Sequence, residues 1–258
     1  MLDLLQSFAA GETGKTALIS GLIFAAALIY SSVGHAGASG YIAAMALFGL
    51  APSVMKSTAL TLNILVATLG TVRWHRMGLV NWRAMLPLLV SSILCAFIGG
   101  AVQLPSVWYR LLVGVILLIA ATKLIFRPQQ AGTTETRQTN IPWLGGVITG
   151  SGVGLLSGLT GTGGGIFLTP VLLFLGWAAP RQASGLTAPF ILVNSIAGLA
   201  GNLLVLKALP AELPYYMVAA VARGIVGTQI GVAWASTVTL QRLLGVVLVI
   251  AGMKFLLV

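Results

Sequence analysis

Residues 158–167 read GLTGTGGGIF, five glycines in ten positions, set between two apolar runs. Soluble proteins use such clusters to cradle phosphates. A P-loop, however, needs Lys and then Ser or Thr after its last glycine, and here Ile166 and Phe167 follow. The dinucleotide fingerprint needs a strand before it and an acidic residue after it, and both are missing. The cluster must be read in the setting of the whole chain.

That setting is a membrane. Of 258 residues, 58% are hydrophobic and 7% charged, and the mean hydropathy is +1.02. Soluble domains carry about a quarter charged residues. With 14 Lys and Arg and 4 Asp and Glu, the chain cannot cover a soluble surface. It reads as an all-α polytopic integral membrane protein with no large soluble domain. The net charge of +10 lies singly at the ends of apolar runs, without a basic stripe or interleaved aromatics. This is topology signalling rather than nucleic-acid binding. Cys95 is the single cysteine, so no intrachain disulfide forms, and neither a metal site nor a cofactor is expected. The first apolar run, Thr16–Val33, follows Asp3, Glu12 and Lys15. That is a poor signal-peptide flank, so the run reads as the first membrane segment.

Two windows free of Lys, Arg, Asp and Glu, 16–55 and 138–180, are each long enough for two segments. Each is broken by small residues, VGHAGASGY at 33–41 and SGLTGTGGGIF at 157–167. Three ordinary apolar runs follow each broken pair. Gly34, Gly37 and Gly40 fall on Gly158, Gly161 and Gly164 at a constant offset of 124. FGLAP at 48–52 resembles LGWAAP at 175–180, KST at 56–58 resembles ASG at 183–185, and Asn63 has a counterpart in Asn194. The chain therefore divides into a first repeat over 1–127, a polar linker over 128–140 and a second repeat over 141–258, with about 8–10 membrane segments in all. An odd number of crossings per half makes the repeats inverted, an arrangement common in secondary transporters. Eight basic residues (Arg73, Arg76, Arg83, Lys123, Arg127, Arg137, Arg181, Arg242) fall opposite the N-terminus, and five (Lys15, Lys56, Arg110, Lys207, Lys254) fall beside it. This puts the linker in the cytoplasm.

A broken helix leaves unpaired N–H groups at the start of the next half-helix, and such groups bind anions. Irregular backbone at membrane depth is tolerated where it is buried in protein or lines a wet cavity. The two breaks thus place the half-helices Ser39–Leu50 and Gly163–Gly176 toward one anion near the midplane. Gly37, Gly40, Gly161, Gly163 and Gly164 let the backbone turn and approach it. The alternative use of these glycines is close helix packing. His35 binds an anion, relays protons or only donates a hydrogen bond. Ser39, Thr160 and Thr162 donate to anion oxygens or back-bond within helices. Lys56 attracts the anion or snorkels. Arg223, in mid-segment, attracts the anion or pairs with carbonyls. Asn63 and Asn194 line the site or join two helices. The four acids fall in expected termini and loops, which argues against a cation carrier. GASG at 37–40 matches the GxSG motif of intramembrane serine proteases, but no second segment supplies a base within reach of Ser39. A channel for small anions is a further alternative.

The duplicated G-x-x-G-x-x-G breaks, each with a Pro turn and an Asn-bearing helix after it, resemble the TauE/SafE sulfite exporter family. The closest stretch is GLLSGLTGTGGGIFLTPVLLFLGWAAPRQASG at 154–185. The resemblance implies a bacterial inner-membrane carrier, a possible homodimer, that exports a small sulfur-containing anion such as sulfite or an organosulfonate like sulfoacetate.

Overall fold

A computed structural model describes residues 11–32, 36–126, 139–205, 209–226 and 237–257. These form ten helices and no strand. They are α1 (Glu12–Ser32), α2 (Ala38–Leu47), α3 (Pro52–Arg76), α4 (Trp82–Ala101), α5 (Ser106–Phe126), α6 (Trp143–Thr160), α7 (Gly165–Phe174), α8 (Pro180–Leu203), α9 (Leu213–Val226) and α10 (Thr237–Leu257). Five have the length and composition to cross a bilayer: α1, α3, α4, α6 and α8. Large apolar side chains such as Leu94, Ile98, Val107, Ile119, Leu144 and Ile148 point outward from α4, α5 and α6. That pattern suits helices solvated by lipid. Residues 128–138 of the linker lie outside the described residues.

The order long, short, long, long, long repeats after the linker, and the two short helices are built alike. Each has ten residues, about 15 Å of rise and half the hydrocarbon thickness. Each starts after a left-handed glycine, Gly37 with φ 103° and Gly164 with φ 82°. Each also ends in one, Gly49 with φ 72° and Gly176 with φ 66°. The following amides, Leu50 and Trp177, return to the carbonyls of Met45 and Leu172 at 3.2 and 2.9 Å. This six-to-one closure stops a helix, so both are shorter than the sequence implied. From helix starts (Ala38, Gly165) and from stops (Gly49, Gly176) the offset is 127 residues, not 124. Matching glycine to glycine misses this because the letters serve different duties. Gly40 packs inside a helix, where a Cβ would lie 2.6 Å from that of Ala26, whereas Gly164 turns the chain.

The α6–α7 pair folds back on itself. The Asn140 amide donates to the Trp177 carbonyl at 3.1 Å, and the Trp177 ring lies against Gly145. Gly164 is level with Val153 and Ser157, about 15–20 Å along α6. The chain therefore doubles back, and α7 returns alongside α6 toward the end at which α6 starts. In the first half, Lys254 near the end of α10 donates to the Leu47 carbonyl at the end of α2, at 2.8 Å.

Glycine decides how the helices meet. Gly146, Gly150, Gly154 and Gly158 recur every four residues on α6. Cβ atoms there would lie 2.5 Å from Pro87 Cβ and 2.3, 2.4 and 2.1 Å from the carbonyl oxygens of Leu88, Ser92 and Ala96. The contacts climb both helices together, so α4 and α6 are parallel and touch backbone to backbone. On the other side of α4, Gly100 meets Gly198 and Gly201 meets Phe97, while Gly185 near the start of α8 meets Leu79 just before α4. The helices that correspond between halves run antiparallel: α3 with α8 (Gly70 at Ala188, Leu60 at Gly198) and α5 with α10 (Gly114 at Gly252, Gly245 at Ala121).

Two cores result, and they do not divide the chain at the linker. One is built mainly from α1, α2, α3, α5, α9 and α10 and includes Ile23, Tyr41, Leu62, Leu117, Tyr216 and Leu248. The other joins α4 to α6, α7 and α8 through Met85, Leu88, Val153, Leu168 and Phe190. Helix α4 packs on α6 and α8, and its counterpart α9 packs on α1 and α3. Each half thus lends its fourth helix to the other.

Because the α4–α6 seam has no room for side chains, Gly154→Leu is expected to destabilise by more than the range of about 1–3 kcal/mol typical of overpacking. Gly152→Leu, whose Cβ meets nothing within 4 Å, should be neutral. Detergent thermal unfolding of the two variants checks this, and equal midpoints would refute the seam.

Candidate functional site

The second break is a built structure. Helix α6 ends where Gly161 turns left-handed, with φ 80°, and its amide returns to the Ser157 carbonyl at 2.9 Å. Thr160 Oγ1 donates to the Leu156 carbonyl at 2.6 Å and lies 2.9 Å from Thr162 Oγ1. The Thr160 carbonyl accepts from Tyr109 Oη of α5 at 3.2 Å. Of the carbonyls that α6 leaves open at this end, those of Ser157 and Thr160 are closed, by the turn and by the Tyr109 hydroxyl. Gly163 and Gly164 then reverse the chain, with φ 74° and 82°. Their helical neighbour Gly165 opens α7, whose first amides have no intrahelical carbonyl to bond.

Around this turn stand buried polar atoms that have no partner. Asn63 of α3 is fully buried, and neither its Nδ2 nor its Oδ1 is hydrogen-bonded. Ser195 of α8 is equally buried, with its Oγ unbonded. A Cβ on Gly163 would lie 2.6 Å from Asn63 Nδ2 and 2.9 Å from Ser195 Oγ. The two groups therefore converge on one point of the break, where α3 crosses α8. Ser157 Oγ, one turn back on α6, and Asn194 Oδ1, beside Ser195, are also buried and unpartnered. Asn194 Nδ2 is used by the Phe190 carbonyl at 2.9 Å. Buried polar groups in folded proteins are nearly all satisfied, so a cluster that is not requires an explanation.

Of the residues singled out in the sequence, Thr160, Gly161, Thr162, Gly163, Gly164 and Asn63 come together here, with Asn194 next to them. Lys56 borders the group, since a Cβ on Gly161 would lie 3.0 Å from its Cα and carbonyl oxygen. Its ammonium, however, is turned to three carbonyls at the end of α4. The contacts of Gly37, Ser39 and Gly40 lie within the first hairpin. Ser39 Oγ donates to Tyr30 Oη, Tyr41 Oη donates to the Ala36 carbonyl, and Gly37 and Gly40 are crowded by Tyr41 and Ala26. His35 lies outside the described residues. Arg223 is on α9, but its side chain is likewise outside them. Sequence reasoning passed over Ser195, and named Ser157 without choosing it. Asn63 and Asn194 sit eleven and fourteen residues after the prolines that open α3 and α8, one helical turn apart in register. That shift is what brings the residue after Asn194 to the break.

The described helices, with apolar outward faces and a half-helix folded back beside polar groups, define a multi-pass integral membrane protein. The sequence matches the family described as Sulfite exporter TauE/SafE over residues 19–255, and the chain belongs to that family. It is 39% identical over 234 residues to the Sinorhizobium fredii protein named "Probable membrane transporter protein y4hK", covering 90% of this chain and 95% of that one. No solved structure matches it.

Gly163→Ala adds a positive-φ penalty of about 1–2 kcal/mol to a steric clash with Asn63 and Ser195. Gly49→Ala carries the same backbone penalty with nothing within 4 Å. The first variant should therefore unfold at a clearly lower temperature than the second. Matching temperatures would mean that Gly163 is needed for its dihedral angle alone.

Proposed function

We propose that this protein is a secondary transporter that carries a small sulfur-containing anion, sulfite or an organosulfonate such as sulfoacetate, out across the bacterial inner membrane. The anion binds at the second break. The observation that carries this reading is the convergence of the unpartnered Asn63 and Ser195 on Gly163, at the start of a half-helix. Amide and hydroxyl hydrogens from Asn63, Ser195 and Ser157 point to the chemistry an oxyanion needs. The N-terminus of α7 adds backbone amides and the positive end of its dipole. Thr160 and Thr162 shape the rim, and Asn194 supports it from α8.

The antiparallel course of α3 against α8 and of α5 against α10 supports an inverted repeat. On that reading each half contributes an odd number of crossings. The moving parts are then the two cores rather than the two halves of the sequence, and rocking of one against the other alternates access to the break.

Reconstituted into proteoliposomes, Asn63→Ala and Ser195→Ala should each lower sulfite flux by about tenfold or more, the cost of a lost hydrogen bond to a charged ligand, while the protein remains folded. Wild-type flux in the double variant would overturn the site. Purified wild-type protein should also be stabilised against heat by sulfite or sulfoacetate more than by a carboxylate control, as mass action requires of a ligand that binds the folded state.

A further inference from the structure

Lys56 lies four residues into α3 and is 5% exposed. Its Nζ donates to the carbonyls of Gly99, Gly100 and Val102 at 3.0, 2.9 and 3.1 Å. An ammonium has three donors, so all of them are engaged. The acceptors are the final carbonyls of α4 and its cap. Such groups have no intrahelical partner and favour a cation through the helix dipole. On its backbone side Lys56 is packed by Gly161, the first turn of the break.

These contacts cross the boundary between the cores. Helix α3 contributes Met55, Leu62 and Val66 to the first core. Helix α4 contributes Met85 and Leu88 to the second, and the hairpin that carries the break contributes Val153 and Leu168. Through one residue the first bundle holds the second both at the end of α4 and at the break.

The repeat gives this residue an unequal mate. At the offset of 127 residues shared by the helix starts and stops, Lys56 falls on Ala183. A methyl side chain has no donor and no charge, so the corresponding position cannot grip a helix end. In an inverted repeat the two facing conformations exchange the roles of the halves, and this difference between them biases the equilibrium.

We propose that Lys56 is a positioning residue that latches the two bundles in the conformation seen here, and that its ammonium leaves the α4 carbonyls each time the carrier changes the side to which the break opens. The proposal rests on the transporter reading for its role in turnover. The latch itself is tested without flux.

Ser53 and Gln103 are described residues on the exposed surface on either side of the latch. Nitroxide labels at Ser53→Cys and Gln103→Cys, in a Cys95→Ser background, report the separation of α3 from the end of α4. With Lys56 present one short distance should dominate, and sulfite should raise a second, longer one. Lys56→Met should raise the longer population at least about fivefold, the lower end of usual allosteric coupling. Lys56→Gln, which keeps two donors, should be intermediate, and Lys56→Arg should restore the short distance. Stabilisation of Lys56→Met by sulfite against heat should persist, because the ammonium is not a ligand. The proposal is overturned if folded Lys56→Met and Lys56→Gln keep the wild-type distances. It also falls if Lys56→Met keeps those distances and loses the sulfite effect, which would make Lys56 an anion ligand. Should neither variant fold, a single distance in labelled protein with Lys56 intact, unchanged by sulfite, is equally fatal. If wild-type protein carries no sulfur anion but the distances respond to Lys56 as described, the substrate reading fails and the latch stands.

Discussion

Every feature of this structure answers to one constraint: backbone N–H and C=O groups at membrane depth must find partners inside the protein. An uninterrupted helix meets it without help. Helix ends there expose groups that must be closed. At the end of α6 the Gly161 turn and Tyr109 of α5 close the carbonyls of Ser157 and Thr160. At the end of α4 the Lys56 ammonium does so. At the ends of α2 and α7 a left-handed glycine closes the last turn. The start of α7 and the Asn and Ser side chains that face the break are not closed in any of these ways.

The same constraint explains why α4 lies where it does. A glycine row brings α6 against the backbone of α4 without side chains between them, and α8 closes the other side through Gly198 and Gly201. Only backbones that bond within their own helices can approach so closely. The first half thereby surrenders α4 to the second core, and α9 makes the reciprocal move onto α1 and α3. Motion between the cores must then flex the connections α3–α4 and α8–α9, each of which passes from one bundle to the other. Lys56 sits beside the end of the same helix α4.

The membrane class, the two broken pairs and the left-handed turns at Gly37, Gly161 and Gly164 were legible in the sequence because each follows from local chemistry. Charge-free windows measure span length, and clustered glycine announces a backbone that leaves the right-handed region. Turning and packing fall to different glycines. Gly161, Gly163 and Gly164 turn the chain, whereas Gly146, Gly150, Gly154 and Gly158 pack it. The repeat register was misjudged by three residues because composition alone cannot tell a capping glycine from a packing one. Ser195 was passed over for a different reason. Nothing local marks it, and it acquires significance only because α3 crosses α8 at Asn63, a contact between residues more than a hundred positions apart. Sequence reasoning has Lys56 attract the anion or snorkel, but its carbonyl partners lie on another helix and no spacing rule reveals them.

The division of labour between charge and dipole suits a carrier. A full positive charge in a dry site would hold an oxyanion strongly, and release on the far side would then be slow. Conduction and transport both need binding strong enough to admit the ligand and weak enough to let it go. At the second break the polar groups that face Gly163, beside the methyl of Ile191, are an amide and a hydroxyl, which offer directed hydrogen bonds without a net charge. The cation nearest to them spends its charge on the α4 carbonyls instead. Selectivity for an oxyanion over an apolar solute then comes from leaving Asn63 and Ser195 unpaired when the wrong molecule enters, since an unmade hydrogen bond in a buried site costs about 1–3 kcal/mol per group. On the proposed reading, turnover is set separately, by how firmly Lys56 holds the bundles. A site of neutral donors and a latch of full charge let affinity and rate be tuned at different residues.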